Sequence, residues 1–131
     1  MVLKNNSANI YFSQTIAPDV RGNISLNGAS VDLQGFDAAL IKISIGDYTD
    51  GNHLFKVQHS DDNITFVDVT DDELSCTISI VDSIDLANGI TKVGYLGSKR
   101  YLRVALNVTE ATSGAASAAC IVCTLPHHAP I

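Results

Sequence analysis

The sequence predicts an all-β fold: a single-domain antiparallel β-sandwich of immunoglobulin-like or jelly-roll type, with about eight strands and extended arms at both ends. Three observations predict it. Apolar and polar residues alternate with period two in window after window, and no window favours helical period. Turn signals recur about every ten residues, at Asn27-Gly28, Asp50-Gly51, Asp61-Asp62-Asn63, Asn88-Gly89 and Gly97-Ser98-Lys99. The 131 residues are 46% hydrophobic and 17% charged, a globular composition. A chain of this size buries roughly 65 to 70% of its unfolded surface without staples. Four Phe, four Tyr and no Trp leave the core to Val, Ile, Leu and Ala.

Residues 1–8 are polar and unpatterned and read as an N-terminal arm that orders against a partner. The sandwich domain is 9–125, and 126–131 form an extended C-terminal tail. The first strand is Asn9–Ile16, ended by an Ala17-Pro18-Asp19 turn. Between Gly22 and Leu33, two short strands (Ile24, Leu26; Val31, Leu33) flank Asn27-Gly28, and Gly35-Phe36-Asp37 closes the section. Ala39, Ile41, Ile43 and Ile45 then share one face of a half-buried strand, with Leu40, Lys42 and Ser44 on the other. The stretch Asp47–Val69 reads as two successive strand-turn-strand units. Asp50-Gly51 is the tight hairpin turn and Asp61-Asp62-Asn63 the next. Phe55, Val57 and His59 alternate against Leu54, Lys56 and Gln58, and Phe66 and Val69 are further core candidates.

Asp71–Leu74 suits one helical turn, its acids favouring the N-terminal end, and Cys76–Val81 resumes a strand. Ile90–Leu96 and Arg100–Val108 are predicted to form a hairpin around Gly97-Ser98-Lys99. The second of these is the best-patterned strand, with Leu102, Val104, Leu106 and Val108 facing inward and Tyr101, Arg103, Ala105 and Asn107 outward. Ala115–Leu125 is the last strand. Its small residues let another backbone or subunit approach closely.

The formal net charge of −6 argues against direct nucleic-acid binding, which needs clustered cations. No stretch approaches the roughly 20 apolar residues of a membrane span, and no signal peptide is recognisable, so neither a membrane nor export is expected. Cys76, Cys120 and Cys123 are odd in number and suggest synthesis in a reducing compartment. Cys120 and Cys123 form a C-x-x-C within a strand-like run. Their odd spacing places the sulfurs on opposite faces, which disfavours a shared metal or a local disulfide.

The acids and histidines are the side chains with chemistry to offer. Asp47, Asp50, Asp61, Asp62, Asp68, Asp71, Asp72 and Glu73 crowd one section, but Asp47–Asn52 lacks the spacing and closing Glu of a calcium loop. They read as turn residues, with a bound cation as the open alternative. As a glycosidase pair they would need a cleft and a raised pKa. His53 flanks a turn, His59 reads as a satisfied, partly buried histidine, and His127-His128 sit in a proline-bracketed tail suited to contacting a neighbour. No catalytic motif appears. The expectation is a protein that is not an enzyme and that uses no cofactor.

Lys99, Arg100 and Arg103 are the one basic cluster of an acidic chain, and Tyr101 and Arg103 share a strand face. That composition is enriched at interfaces; an ordinary solvated face with a cross-strand acid partner fits equally. The candidate interface residues are Tyr101, Arg103, Lys99, Arg100, His127, His128, Asn5 and Asn6.

Three segments carry a resemblance: Asp50–Phe66 (DGNHLFKVQHSDDNITF), Val93–Val104 (VGYLGSKRYLRV) and Pro126–Pro130 (PHHAP). Together they resemble small virion proteins of tailed bacteriophages encoded among the head genes, over about two thirds of the chain. The SDD-x-TF turn also occurs in carbohydrate-binding sandwiches, whereas the G-x-KRY-x-RV strand with an HAP tail is narrower. The doubled histidine before Ala129 departs from the tail pattern. The resemblance implies a structural role on the virion, as a decoration or head-accessory protein that binds the major capsid protein and stabilises the head. A homo-oligomer, trimer or dimer, would follow from seating at symmetry axes. A head-tail connector or tail component is the first alternative. A sugar-binding module is the other, disfavoured because the chain has no Trp.

Overall fold

A computed structural model describes residues 10–126 as nine strands in two antiparallel sheets. The strands are β1 (Tyr11–Arg21), β2 (Ile24–Asn27), β3 (Val31–Asp32), β4 (Phe36–Tyr48), β5 (Asn52–Ser60), β6 (Val67–Asp68), β7 (Ile90–Tyr95), β8 (Tyr101–Thr109) and β9 (Ala115–Pro126). Sheet I has the order β1-β9-β4-β7, and sheet II the order β2-β8-β5-β6 with β3 also beside β8. The partners are nested: β1 with β9, β2 and β3 with β8, β4 with β7, β5 with β6. The chain is thus one long hairpin, closed at the β5–β6 turn and rolled so that successive pairs fall in alternate sheets. Ladders β4·β9 and β5·β8 join the pairs side by side. That order is a jelly roll, which decides between the two sandwich types the sequence left open.

The predicted alternation builds the core. Ile41, Ile43 and Ile121 of sheet I meet Val57, Leu102, Val104 and Leu106 of sheet II in one cluster, with Ile45, Phe55, Val93, Val108 and Cys123 around them. Cys123 points inward and Cys120 lies on the other face, as their odd spacing requires. A 3-10 turn at Asp71–Glu73 occupies the site of the expected helical turn.

Several local expectations are corrected. Gly51 does adopt positive φ, at 98°, but Asp50-Gly51 joins β4 of sheet I to β5 of sheet II and is a crossing between sheets, not a hairpin. Gly97-Ser98-Lys99 likewise carries the chain from β7 to β8 across the sandwich. β4 and β7 pair with each other in sheet I while β5 and β8 pair in sheet II, so these links have to span the core. Among the described residues only Asp61-Asp62-Asn63 closes a hairpin between paired strands, β5 to β6, with Asn63 at φ 62°.

Asn27-Gly28 is no hairpin either, because β2 and β3 follow one another along the same edge of β8. Between them Gly28 N–H donates to the Val104 carbonyl at 2.8 Å. The buried Thr15 then ties the two sheets: its hydroxyl donates to Ala29 O (2.7 Å) and accepts from Val104 N–H (3.1 Å). A Cβ on Gly28 would lie 2.4 Å from that hydroxyl oxygen, so the approach needs glycine.

The predicted Ala17-Pro18-Asp19 turn is an irregularity inside β1, which continues to Arg21 with register shifts. Pro18 is accepted there because β1 is an edge strand. Cys76–Val81 is not a strand; it contributes only a bridge from Val81 to His53. Val69 joins the core as expected, but Phe66 does not, lying half-buried against Arg103 on the outer face of sheet II.

Candidate functional site

The best-patterned strand, β8, brings four of the predicted interface residues together. Its register sets Arg103 opposite Gln58 of β5, and Gln58 opposite Asp68 of β6, in one row across sheet II. Arg103 Nε donates to Gln58 Oε1 at 2.9 Å, Gln58 Nε2 donates to Asp68 Oδ1 at 2.9 Å, and Lys56 Nζ stands 3.5 Å from Asp68. The Arg103 guanidinium lies 3.9 Å over the Phe66 ring. Burial against that ring pulls its pKa below the ordinary arginine value. The Gln58 hydrogen bond holds the Asp68 carboxyl below the usual range.

At the start of β8, Arg100 grips Asp32 with two bonds, Nε to Oδ1 at 2.9 Å and Nη2 to Oδ2 at 2.8 Å, and covers the Tyr101 ring at 5.0 Å. The fork lowers the Asp32 pKa and raises that of Arg100. Lys99 Nζ meets Asp61 at 2.8 Å, a hydrogen bond that raises the lysine's pKa. The basic cluster is therefore locally matched: three of its members each have a carboxylate or amide acceptor on a neighbouring element. Exposed pairs of this kind contribute little to stability. They do fix the shape of the face.

Lys99 and Arg100 also border a cleft of about 450 Å³ whose opposite wall is Leu33–Ala39. Phe36 of that wall pairs with Pro126, the last described residue. His127, His128, Asn5 and Asn6 themselves lie outside the described residues, as do the arm 1–8 and most of the tail.

The acids of the opening turns act on the backbone. Asp50 accepts N–H bonds from Thr112 (3.0 Å), Ser113 (3.0 Å) and Gly114 (2.7 Å), clasping the β8–β9 loop, and the Gly114 bond leads in lowering its pKa. Asp62 accepts from Ile64 and Thr65 N–H, both at 2.9 Å, and from the Ser60 hydroxyl at 2.8 Å. These bonds, Thr65's first, bring its pKa to about 2. No group of three or more His, Cys, Asp or Glu among the described residues is placed to hold a metal ion.

His59 is buried with Nδ1 2.7 Å from Tyr95 Oη, joining sheet II to sheet I, and burial lowers its pKa. Tyr95 Oη also accepts from Lys99 N–H at 3.1 Å, so one hydroxyl serves both contacts. His53 is fully buried, its Nε2 3.0 Å from Asp50 O. Sequence reasoning anticipated a satisfied His59 but missed the Asp50 clasp and Thr15. Nothing in a linear pattern places residue 50 beside residue 114.

Fold and site together define a jelly-roll β-sandwich in which Asp50 and Asp62 serve its own turns. No family model, curated protein or solved structure matches the chain.

Proposed function

We propose that this chain is a structural protein of a tailed-phage virion, seated on the outer capsid shell through the major capsid protein and stabilising the head without catalysing a reaction. One observation carries the reading. Among the described residues, the acids and histidine that sequence spacing offered for chemistry hold the scaffold: Asp50 and Asp62 bind backbone N–H groups, and His59 binds Tyr95. What the molecule offers a partner is surface. The likeness of Asp50–Phe66, Val93–Val104 and the PHHAP tail to head-gene proteins supplies the setting. Jelly rolls recur among viral capsid domains and also among lectins, an analogy of fold alone. In this reading the termini order on docking, where buried area offsets their ordering cost, and copies assemble as closed trimers or dimers.

The test is the number of copies per purified particle. A count approaching one per capsid subunit supports decoration. A count of about a dozen, as a ring at one vertex would give, overturns it in favour of a connector.

A further inference from the structure

The outer face of sheet I breaks a local rule of sheet design. Lys42 of β4 and Lys92 of β7 are direct cross-strand partners, so two like charges stand side by side on one face, an arrangement that destabilises a sheet. Neither ammonium group has an ion-pair or hydrogen-bond partner among the described residues, although the chain carries 14 acids to 8 Lys and Arg. The rest of the row is Gln14 and Cys120. The next row is Phe12, Val122, Leu40 and Gly94, with Phe12 66% exposed, and Ile90 beyond Lys92 is 63% exposed. The six residues that share these two rows with the lysines are all uncharged, and the exposed acids of these strands, Asp19, Asp37 and Asp47, stand outside both rows. Residues 1–9 and 127–131 contain no Asp or Glu. Conflicts of this sort survive where function requires them.

From this we infer that the outer face of sheet I is a docking surface for a partner protein presenting carboxylates set among apolar residues, with Lys42 and Lys92 as the paired cations that receive them. Charge selects the occupant. A second copy packed face to face with its two-fold axis through this pair would set the lysines against each other, and one with the axis elsewhere would meet the uncharged rows around them. A nucleic-acid or anionic lipid surface would meet a chain of net charge −6 on which Lys99 and Arg100 are already matched. A cleft of about 420 Å³ beside Lys42, floored by Gly46 and Ala116–Cys120, gives the partner's backbone room to approach. Naming the partner as the capsid shell rests on the function proposed above. The surface itself does not.

The experiment uses phage particles stripped of this protein and four forms of the chain: wild type, Lys42→Glu, Lys42→Glu/Lys92→Glu and Arg103→Ala. The single charge change replaces a like-charge pair by an opposite pair. It should raise the melting temperature while weakening particle binding roughly tenfold or more, opposite movements that a folding defect cannot produce. The double change should bind as poorly as the single one or worse, and Arg103→Ala as well as wild type. Zero-length carbodiimide cross-linking should join Lys42 or Lys92 to Asp or Glu of the capsid protein. Undiminished binding by the double variant, or cross-links from these lysines only to acids of this same chain, overturns the inference. Failure of the wild type to bind particles overturns the virion reading instead, and the two failures are distinguishable.

Discussion

Replacing Tyr95 by Phe removes a single oxygen from the one buried polar link between His59 of sheet II and Tyr95 of sheet I. Tyr95 is 8% exposed and His59 4%, so water does not freely replace the lost hydroxyl. The imidazole Nδ1 loses a 2.7 Å bond and Lys99 N–H a 3.1 Å one. Stranding a buried polar group costs about 1–3 kcal/mol. At about 2.1 cal/mol/K per residue, 131 residues have an unfolding entropy near 0.28 kcal/mol/K, and the cost becomes a fall in melting temperature of about 4–11 °C. Calorimetry at about pH 7.5, where the imidazole is neutral, reads the fall directly. Amide exchange at Lys99 should accelerate in parallel. A fall of less than about 2 °C with Lys99 exchange unchanged would refute the claim that this bond ties the sheets.

Three further outcomes are expected. Burial holds the His59 pKa below 6.5, so as pH falls below about 6.5 the unfolded chain binds a proton before the folded one and stability drops; urea midpoints between about pH 7.5 and 5 should show a slope that His59→Gln flattens, and equal slopes would reject the assignment. Gly114 has φ +82° and a Cβ there would lie 1.8 Å from Arg21 O, so Gly114→Ala should abolish the folded sandwich by circular dichroism, whereas Gly22→Ala, with nothing within 4 Å, should melt like wild type. Asp62 should titrate by carboxyl NMR with a midpoint of about 2; its contribution is complete above about pH 4 and lost as pH falls towards 2, when protection of the Ile64 and Thr65 amides should vanish with it.

The alternation of Ala39–Ile45 and of Leu102–Val108 was legible because period two at a half-buried face is a local property of sequence. So was the Asp62 turn, whose partners lie within three residues. The direction of each turn was not. Asp50-Gly51 and Asn88-Gly89 carry the same dipeptide chemistry as hairpin turns, and Gly51 and Asn88 do take positive φ. Whether such a bend returns the chain beside itself or throws it across the core depends on partners 50 or more residues away, such as the Gly114 amide on Asp50. Phe66 misled for a related reason: its alternation fits the core, but the half-buried site under Arg103 is created by a strand that follows much later in sequence. At the candidate interface, the sequence located Tyr101 and Arg103 on one outward face. It could not show that Asp32 and Asp61 answer Arg100 and Lys99, and it passed over the Lys42–Lys92 pair, because the register that makes those two neighbours is set by a ladder joining residues about 50 apart.

The nesting of strand partners also sets a timetable. β9 is the strand between β1 and β4, so the first strand made has no neighbour in its sheet until the last has been synthesised. A ribosome that has released everything through Glu110 has delivered both halves of the β5–β6 hairpin and a β8 ladder, yet Ile16, Ile41 and Ile43 still lack the strand that separates and joins β1 and β4. Folding of this sheet therefore waits for a step that closes segments about 100 residues apart, and topologies of this kind close slowly. During that interval the apolar edge of β4 is exposed to other nascent chains, which makes the rate of synthesis and the crowding of neighbouring copies a determinant of yield.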